Sequence, residues 1–236
     1  MRVLVACEES QRVCTAFRNL GHEAYSCDII KPSGGHPEWH ILCDATTILN
    51  PDIDGITFKT MDDAVHSIDR WDMIIAHPPC TYLSNAGACR LYPSKGQIDA
   101  DRFRKGMEAR RFFMSFYDAD CERICIENPI PSRVFNLPRY TQIIQPYEFG
   151  EPWSKKTCLW LKGLQRLTPT NIIKDYKPYI SCYTSVNKGN HDKAGASRAG
   201  GAALVRSKTF YGIAEAFAKQ WGGNITERCL DEHTER

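Results

Sequence analysis

The residues best suited to chemistry in this chain stand where two apolar runs stop. The first run, Met73 to Ala76, is followed by a histidine, two prolines and Cys80. The second, Ile124 to Ile126, is followed by Glu127 and Asn128. A cysteine thiolate is a nucleophile, and a carboxyl group can act as a general acid or base. The segment between them is long enough for one helix, so the thiol and the carboxyl group are predicted to meet at one edge of a parallel sheet.

Polar side chains also follow three earlier strand-like runs. They are Glu8, Glu9 and Ser10 after the run Val3 to Cys7, Asp28 near the end of 23–30, and Asp44 after Ile41 and Leu42. Ligands of doubly wound sheets bind at the carboxyl ends of the strands, so these groups are expected around one ligand. An acid after the second strand suits the two hydroxyls of a ribose, and a later acid suits an adenine amine. Because there is no glycine-rich phosphate cradle, the pattern favours an adenosyl cofactor without a pyrophosphate.

The spacing of apolar residues predicts the elements that position these groups. A first strand at 3–7, a helix with Ser10 as N-cap and Gly21 as its end, and a strand at 23–30 form a βαβ unit. Such a unit implies a parallel sheet. Further along, the patterns predict a short helix at 62–69, a strand at 72–77, a helix at 100–117, a strand at 124–127, an antiparallel hairpin formed by 140–149 and 156–162, and a helix at 211–221.

These elements predict an α/β fold with a mostly parallel, doubly wound sheet and a terminal antiparallel hairpin. A chain of 236 residues fits a single domain over 1–236. Residues 171–206 are polar and rich in glycine and are predicted to form a loop-like insertion. Residues 223–236 are predicted to form a tail.

Charge, apolar stretches and cysteine content limit the functions and locations that the sequence predicts. The net charge of +2 means that nucleic-acid binding would depend on local patches. There is no stretch of about 18 apolar residues, so no membrane span is predicted. Eleven scattered cysteines without a secretion signal favour reduced thiols in a cytoplasm. The spacing of His36, His40 and Cys43 is only a weak metal signal, and no metal is predicted.

Together these segments resemble the cytosine carbon-5 DNA methyltransferases, most closely their compact phage and prophage members. The similarity rests on Pro79-Cys80, on Glu127-Asn128, and on the run Glu-Phe-Gly-Glu-Pro-Trp-Ser-Lys-Lys-Thr-Cys-Leu-Trp-Leu-Lys-Gly at 148–163. It extends over nearly the whole chain, although only the cysteine and Glu-Asn segments are specific. The resemblance implies a Rossmann-like methyltransferase fold, S-adenosylmethionine as cofactor, DNA containing cytosine as partner, and the cytoplasm of a bacterial host cell as location.

The resemblance also implies a role for each candidate residue. Cys80 would add to carbon 6 of cytosine, Glu127 would bind and protonate the ring, and Asn128 would hold the loop. The cofactor would lie among Cys7, Glu8, Ser10, Asp28, Asp44 and Pro79. The DNA would meet a closing loop at 84–97 with Ser84, Arg90 and Lys95, and the basic pair Lys155 and Lys156.

Three segments differ from the family pattern. The first loop is Ala6-Cys-Glu-Glu-Ser10 where the family has a Phe-x-Gly-x-Gly-like sequence, so Glu8 or Glu9 is a candidate for the ammonium group of the cofactor. Lysines 155 and 156 stand near the place of the family's Gln-x-Arg-x-Arg, and lysine lacks the bidentate fork of arginine. The 171–206 insertion stands in place of a large recognition domain and is expected to contact DNA or to be disordered.

Other functions stay open on the sequence. An exocyclic-amine methyltransferase would have an acid or Asn before two prolines and an aromatic residue after them, where this chain has His77 and Cys80. A folate-dependent pyrimidine methylase also uses a Pro-Cys nucleophile, but its chain does not open with a βαβ nucleoside site. Further alternatives are an inactive DNA-binding or regulatory relative, and a methylase of RNA, single strands or nucleotides. Cys80 could also be a buried structural cysteine, and Glu127 a strand-end acid paired with an arginine.

Overall fold

The structure, a computed structural model, describes residues 1–88, 90–94, 96–179 and 207–223. The helices in these residues are α1 (Arg12–Asn19), α2 (Asn85–Ala88), α3 (Ala100–Tyr117) and α4 (Tyr211–Phe217), which continues as a π-helical turn over Ala218–Gly222. The strands are β1 (Arg2–Ala6), β2 (Glu23–Asp28), β3 (His40–Leu42), β4 (Ile56–Lys59), β5 (Val65–Ile68), β6 (Met73–Ala76), β7 (Ile124–Pro129), β8 (Gln142–Ile144), β9 (Trp153–Ser154), β10 (Thr157–Lys162) and β11 (Lys177–Pro178).

A seven-stranded sheet organises the described chain, in the order β3-β2-β1-β6-β7-β10-β8. Neighbouring strands are parallel from β3 to β7, whereas β10 runs antiparallel to both β7 and β8. The strand order reverses at β1, since β2 and β3 lie on one side of it and the later strands on the other. The predicted doubly wound α/β sheet with a terminal antiparallel hairpin is confirmed. It is the Rossmann-like methyltransferase architecture that the resemblance implies.

Both faces of this sheet are buried, which explains why its central strands are almost continuously apolar. Successive side chains point to opposite faces, so each strand contributes to two cores. The first core joins the strands to α3 and includes Leu4, Ile74, Ile126, Phe113 and Phe116. The second joins them to α1 and α4 and includes Val5, Ile75, Cys125, Phe17 and Phe217. The two cores fix the sheet, and the sheet fixes its carboxyl edge.

The cap of α1 differs from the prediction of Ser10. The N-cap is Gln11, in the left-handed conformation with a φ of 57°, and its own side chain does not close the first turn. The carboxylate of Glu8 accepts hydrogen bonds instead, from the N–H of Val13 at 2.6 Å and from the N–H of Cys14 at 3.2 Å. A carboxylate also complements the positive end of the helix dipole. Glu8 therefore caps a helix, a use that the sequence pattern did not indicate.

The helix predicted at 62–69 is wrong. Residues Val65–Ile68 form β5, which pairs antiparallel with β4. In the turn between them, the N–H of Thr60 donates to the carbonyl of Ala64 at 3.0 Å, and Asp63 adopts a φ of 70°. A short run with one partly apolar face fits either a helix or a strand, and here the neighbouring β4 decides.

The predicted end of α1 and the predicted helix at 100–117 are confirmed. Gly21 ends α1 with a φ of 81°. The helix predicted at 100–117 is α3, and the carboxylate of Asp99 caps it by accepting the N–H of Arg102 at 2.9 Å. The last predicted helix is also present, as α4 and its π-helical turn.

Part of the predicted insertion lies outside the described residues. Of 171–206, the structure describes 171–179 and then nothing before residue 207; the stretch described includes β11, which pairs with β9. The predicted tail lies outside the described residues from 224 onwards. None of the described helices is long and apolar enough to cross a membrane.

Candidate active site

Strands β6 and β7 lie side by side, and the main candidate residues follow their register. Ala76 pairs with Ile126, so His77 and Glu127 are next in line. The N–H of His77 donates to the carbonyl of Ala6 at 2.9 Å, which ties the end of β6 to β1. The Pro-Pro-Cys and Glu-Asn segments therefore start from the same edge of the sheet.

Glu127 forms a buried ion pair with His77. Nδ1 of His77 lies 3.0 Å from Oε2 of Glu127, and the two side chains are only 9% and 13% exposed. The hydroxyl of Thr209, from the segment before α4, donates to the same carboxylate oxygen at 3.3 Å. The guanidinium of Arg12 donates to the carbonyl of Thr209 at 2.8 Å, so α1 holds this third group in place.

The charges around this pair shift its two pKa values in opposite directions. Burial disfavours the imidazolium, but the hydrogen bond and charge of Glu127 and the charge of Glu8 outweigh it and raise the pKa of His77. Burial also favours a protonated Glu127, yet the hydrogen bond and charge of His77, helped by Lys155 and Thr209, lower the pKa of Glu127. The proton of the resting pair therefore sits mainly on the imidazole.

A second contact joins the two strand ends at the Pro-Pro-Cys turn. Nδ2 of Asn128 donates to the carbonyl of Pro78 at 2.9 Å, and Asn128 is almost fully buried. Pro79 is exposed and Cys80 is half-buried. The turn thus has a buried anchor at its base and a cysteine beyond that anchor.

The segment after Cys80 folds back over the end of β7. The N–H of Ser84 donates to the carbonyl of Cys80 at 3.0 Å. The N–H of Ser132 donates to the carbonyl of Leu83 at 2.7 Å. Ser84 is buried and has a structural position within this turn. Together with the bond from Asn128 to Pro78, these bonds hold the chain before and after the cysteine against β7 and the residues that follow it.

Arg102 of α3 fastens the same segment from the other side. Its Nη2 donates to the carbonyls of Thr81 at 3.2 Å and Gly87 at 2.9 Å. Its guanidinium also lies 5.0 Å from the ring centroid of Tyr82. One side chain therefore holds three residues of the segment that follows Cys80.

Lys155 belongs to the surroundings of Glu127. It is half-buried, and its charge acts on both Glu127 and His77. Its Nζ lies 5.9 Å from the ring centroid of Tyr179 and 5.7 Å from that of Phe210. The positive charge that acts on the carboxylate is thus flanked by two aromatic rings.

The other basic residues predicted to meet DNA are not part of this cluster. Arg90 and Lys156 are exposed on the surface. Lys95 lies outside the described residues. Of the basic candidates that the structure describes, only Lys155 joins the buried groups.

The loop after β1 contains two buried acids with different surroundings. The carboxylate of Glu8 accepts hydrogen bonds from two backbone N–H groups at the N-terminus of α1. Burial raises the pKa of Glu8, although the positive charge of His77 opposes this. Glu9 is also buried, with Nζ of Lys208 3.3 Å from its Oε1. That ion pair is not aligned as a hydrogen bond, and Oε1 of Glu9 has no hydrogen-bond partner among the described residues.

Asp28 and Asp44 lie near Cys7 at the neighbouring strand ends. Burial and then the charges of these two aspartates raise the pKa of Cys7. Asp28 accepts the N–H of Ile30 at 3.2 Å. Asp44 is exposed and caps a short 3-10 turn by accepting the N–H of Thr46 at 2.9 Å. One carboxylate oxygen of Asp44 therefore stabilises a turn, as in many loop aspartates.

Three buried polar atoms near this edge lack hydrogen-bond partners among the described residues. They are Oε1 of Glu9, Nε2 of His77 and Oδ1 of Asn128. Buried polar atoms are normally hydrogen-bonded, so each of these three atoms can accept or donate one further bond to a ligand, although Oε1 of Glu9 already faces the ammonium of Lys208. The acids at the ends of β1, β2 and β3 could hold an adenosyl cofactor: Glu9 suits an ammonium group, Asp28 ribose hydroxyls and Asp44 an adenine amine.

The weak metal pattern at 36–43 does not form a site. His36 stacks on Trp39 with ring centroids 3.7 Å apart. The buried ring of His40 is bonded to a serine hydroxyl and to a backbone carbonyl. Sγ of Cys43 lies 3.6 Å from Sγ of Cys27. In the part of the chain that the structure describes, no group of three His, Cys, Asp or Glu side chains could hold a metal.

Sequence reasoning missed three residues of this region. His77 was available as the residue between the β6 pattern and the two prolines, which puts it at a strand end. Thr209 and Arg102 carried no signal, because each reaches the site through contacts between segments that are distant in sequence. Only the sheet register and the positions of α3 and α4 reveal them.

No protein family model matches the chain, and no curated protein matches it. Among solved structures, it is similar to a candidate DNA modification methyltransferase encoded within a prophage of E. coli. The TM-score is 0.40 and the sequence identity 15%, over 73% of this chain and 52% of that chain. The chain thus spans about half the length of that protein. At this level of identity, function has to be argued from the site itself.

Proposed function

We propose that the protein methylates carbon 5 of cytosine in DNA, with S-adenosylmethionine as methyl donor and a covalent adduct at Cys80. One observation carries this proposal: the hydrogen bond from Asn128 to the carbonyl of Pro78. It fastens the turn that bears the thiol to the strand that bears Glu127. A nucleophile and an acid held on one rigid base are what this reaction needs.

Cys80 has the role of nucleophile. Carbon 5 of cytosine is unreactive until the aromatic ring is interrupted. The thiolate of Cys80 forms a bond to carbon 6, and the electrons of the carbon 5–carbon 6 double bond move into the ring. Carbon 5 then has the character of an enamine carbon. The half-buried position of Cys80, beyond the buried anchor at Pro78, is compatible with this attack.

Glu127 has the role of the acid. As the thiolate adds, negative charge develops on the ring, and a proton from the carboxyl group to ring nitrogen 3 neutralises it. Loss of the carbon-5 proton to solvent later restores the double bond and expels the thiolate. Nitrogen 3 returns its proton to the carboxylate at that stage. The burial of Glu127 strengthens its interaction with the ring because water competes less.

The cofactor would be held at the ends of β1, β2 and β3. When bound, it supplies an electrophilic methyl group to carbon 5. Glu9 replaces Glu8 as the group proposed for its ammonium, since the Glu8 carboxylate caps α1. Asp28 and Asp44 keep their proposed roles at the ribose and the adenine, and Cys7, Ser10 and Pro79 would line the site.

DNA would approach from the side of the Cys80 turn. A cytosine of duplex DNA must leave the stack to reach the thiol. Arg90 and Lys156 are exposed and suit phosphate contacts, as does Lys95 by its sequence position. Lys155, beside Glu127 and two aromatic rings, suits the base itself.

Adduct trapping tests this function. The protein is incubated with labelled S-adenosylmethionine and DNA containing 5-fluorocytosine, which blocks the final proton loss. We expect a covalent protein–DNA adduct in the wild type and its loss in Cys80→Ser. Cys121→Ser is the matched control, because Cys121 is buried far along the sheet and a serine can keep its bonds to the carbonyls of Trp71 and Arg123.

The outcomes separate the alternatives. Methyl transfer that survives Cys80→Ser would contradict the nucleophile assignment. Cofactor binding without transfer would indicate an inactive relative. Parallel reactions with duplex DNA, single-stranded DNA, RNA and free nucleotide would identify a different pyrimidine substrate if duplex DNA is not methylated.

A further inference from the structure

A histidine beside the proposed acid has no role in the reaction so far. His77 lies next to Glu127 across the β6–β7 pairing, with Nδ1 of His77 3.0 Å from Oε2 of Glu127. The two side chains are 9% and 13% exposed. Nothing in the addition to carbon 6 requires an imidazole at this place. Its contact is nevertheless with the one carboxyl group that must deliver a proton.

The charged groups that face His77 come from several elements. Glu8 approaches from the loop after β1, Glu127 from β7, and Lys155 from the turn between β9 and β10. Thr209 adds an uncharged donor to Glu127. Two carboxylates thus oppose one lysine, and this balance favours a positive imidazole.

We propose that His77 is a positioning residue that orients the carboxyl group of Glu127 and holds the proton which Glu127 delivers to the cytosine ring. This inference rests on the proposed function of the site. The proton moves from Nδ1 of His77 to the carboxylate of Glu127, and from the carboxyl group to ring nitrogen 3. When the thiolate of Cys80 leaves, the proton returns by the same route, so the pair ends each cycle as it began.

The proposal resolves a conflict within the site. A glutamate whose pKa is lowered is a poor store for a proton at neutral pH. A neighbouring histidine whose pKa is raised stores it instead. Transfer over a single hydrogen bond is then enough to form the acid when the ring needs it.

The pH dependence of adduct formation distinguishes this role from a merely structural one. The pair works while it holds one proton, so in the wild type the alkaline fall of the rate is expected at the raised pKa of His77. In His77→Asn, a side-chain N–H can still reach Glu127, but no proton is stored. The alkaline fall of the rate in His77→Asn is expected to begin at lower pH than in the wild type. Between these two pH values, the variant is expected to lose about a factor of ten in rate for each pH unit.

Glu127→Gln and a second measurement complete the design. Glu127→Gln removes the acid and is expected to abolish adduct formation at every pH. In parallel, the histidine ring resonances of the full-length protein are titrated by NMR, with the His77 signal assigned from its absence in His77→Asn. The His77 midpoint is expected above 6.5 in the wild type and lower in Glu127→Gln.

Each result bears on one of the two proposals. An active wild type and a His77→Asn variant that is slower by the same factor at every pH would overturn the proton-holding role. If the wild-type protein does not form an adduct with cytosine, the proposed function is overturned, whatever the variants do. If His77→Asn does not fold, the His77 signal is assigned by through-bond correlation of its ring with its backbone in the wild type, and a midpoint that is unchanged in Glu127→Gln overturns the inference.

Discussion

The side-chain amide of Asn128 donates a hydrogen bond to the backbone carbonyl of Pro78 at 2.9 Å. Asn128 is the residue after the proposed acid, and Pro78 is two residues before the proposed nucleophile. The bond therefore connects the two halves of the site without using either reacting group. We expect the relative position of thiol and carboxyl group to depend on it.

Asn128→Ala is expected to lower both stability and rate. Removing the amide leaves the buried carbonyl of Pro78 without its donor, which costs about 1–3 kcal/mol of unfolding free energy. Adduct formation is expected to slow about tenfold or more, because the turn loses its anchor. Urea unfolding and trapping with 5-fluorocytosine DNA measure the two effects, and affinity for the cofactor should not change.

Asn50→Ala is a suitable control for that variant. Asn50 accepts the N–H of Asp120 at an exposed position remote from the site. Its replacement should leave adduct formation unchanged. An equal loss of rate in both variants would show that the Asn128–Pro78 bond has no special importance.

The ion pair of His77 and Glu127 should stabilise the fold most between mildly acidic and neutral pH. The pKa of His77 is raised above 6.5, so its contribution is complete below 6.5 and is lost as the pH rises through the folded value. The pKa of Glu127 is lowered below 4.5, so its contribution is complete above 4.5 and is lost as the pH falls through the folded value.

A double-mutant cycle with His77→Asn and Glu127→Gln measures this coupling by urea unfolding. We expect about 1–3 kcal/mol at about pH 6 and a clearly smaller value at about pH 9. A coupling energy that is the same at both pH values would mean that the pair is held by a neutral hydrogen bond.

Arg102→Ala should affect the reaction more than the fold. Its guanidinium holds the carbonyls of Thr81 and Gly87, which follow the nucleophile. We expect adduct formation to slow by about tenfold and unfolding free energy to fall by about 1 kcal/mol, since the side chain is only half-buried. Arg104→Ala is the matched control two residues along α3, where the guanidinium pairs with two exposed acids, Asp101 and Glu108. A normal rate in Arg102→Ala would show that the turn keeps its shape without this contact.

Asp28→Asn should weaken binding of the cofactor. A charged acceptor for ribose hydroxyls contributes about 1.5–3 kcal/mol, so the dissociation constant should rise roughly 10- to 100-fold. Calorimetric titration with S-adenosylmethionine measures it directly, with no need for DNA. Asp52→Asn, at an exposed turn, is the control. An unchanged constant in Asp28→Asn would remove Asp28 from the proposed cofactor site.

Sequence patterns correctly predicted two kinds of element: helices with regular apolar spacing, and strands that are buried on both faces of the sheet. Helix α3 has regular apolar spacing, so its limits could be predicted. Strands β1, β6 and β7 are short apolar runs that fit only the middle of a sheet with two cores. The doubly wound order then follows from their alternation with helices.

Local patterns failed where a distant partner decides the structure. Strand β5 was predicted to be helical because no sequence pattern marks β4 as its partner. Glu8 was assigned to a ligand because nothing in its neighbours shows that its carboxylate turns back to α1. The pairing of His77 with Glu127 depends on the register of β6 against β7, which no sequence spacing reveals.

The bond from Thr209 to Glu127 spans 82 residues. Groups around this one carboxylate come from segments that leave the ribosome at widely separated times. During synthesis, Glu127 and His77 can meet long before Thr209 and α4 exist, so the nascent chain passes through a stage with an incomplete acid. Completion of the site is therefore coupled to docking of a late helix, and a ribosome-stalled chain that ends before residue 209 lacks both Thr209 and the helix that completes the second core.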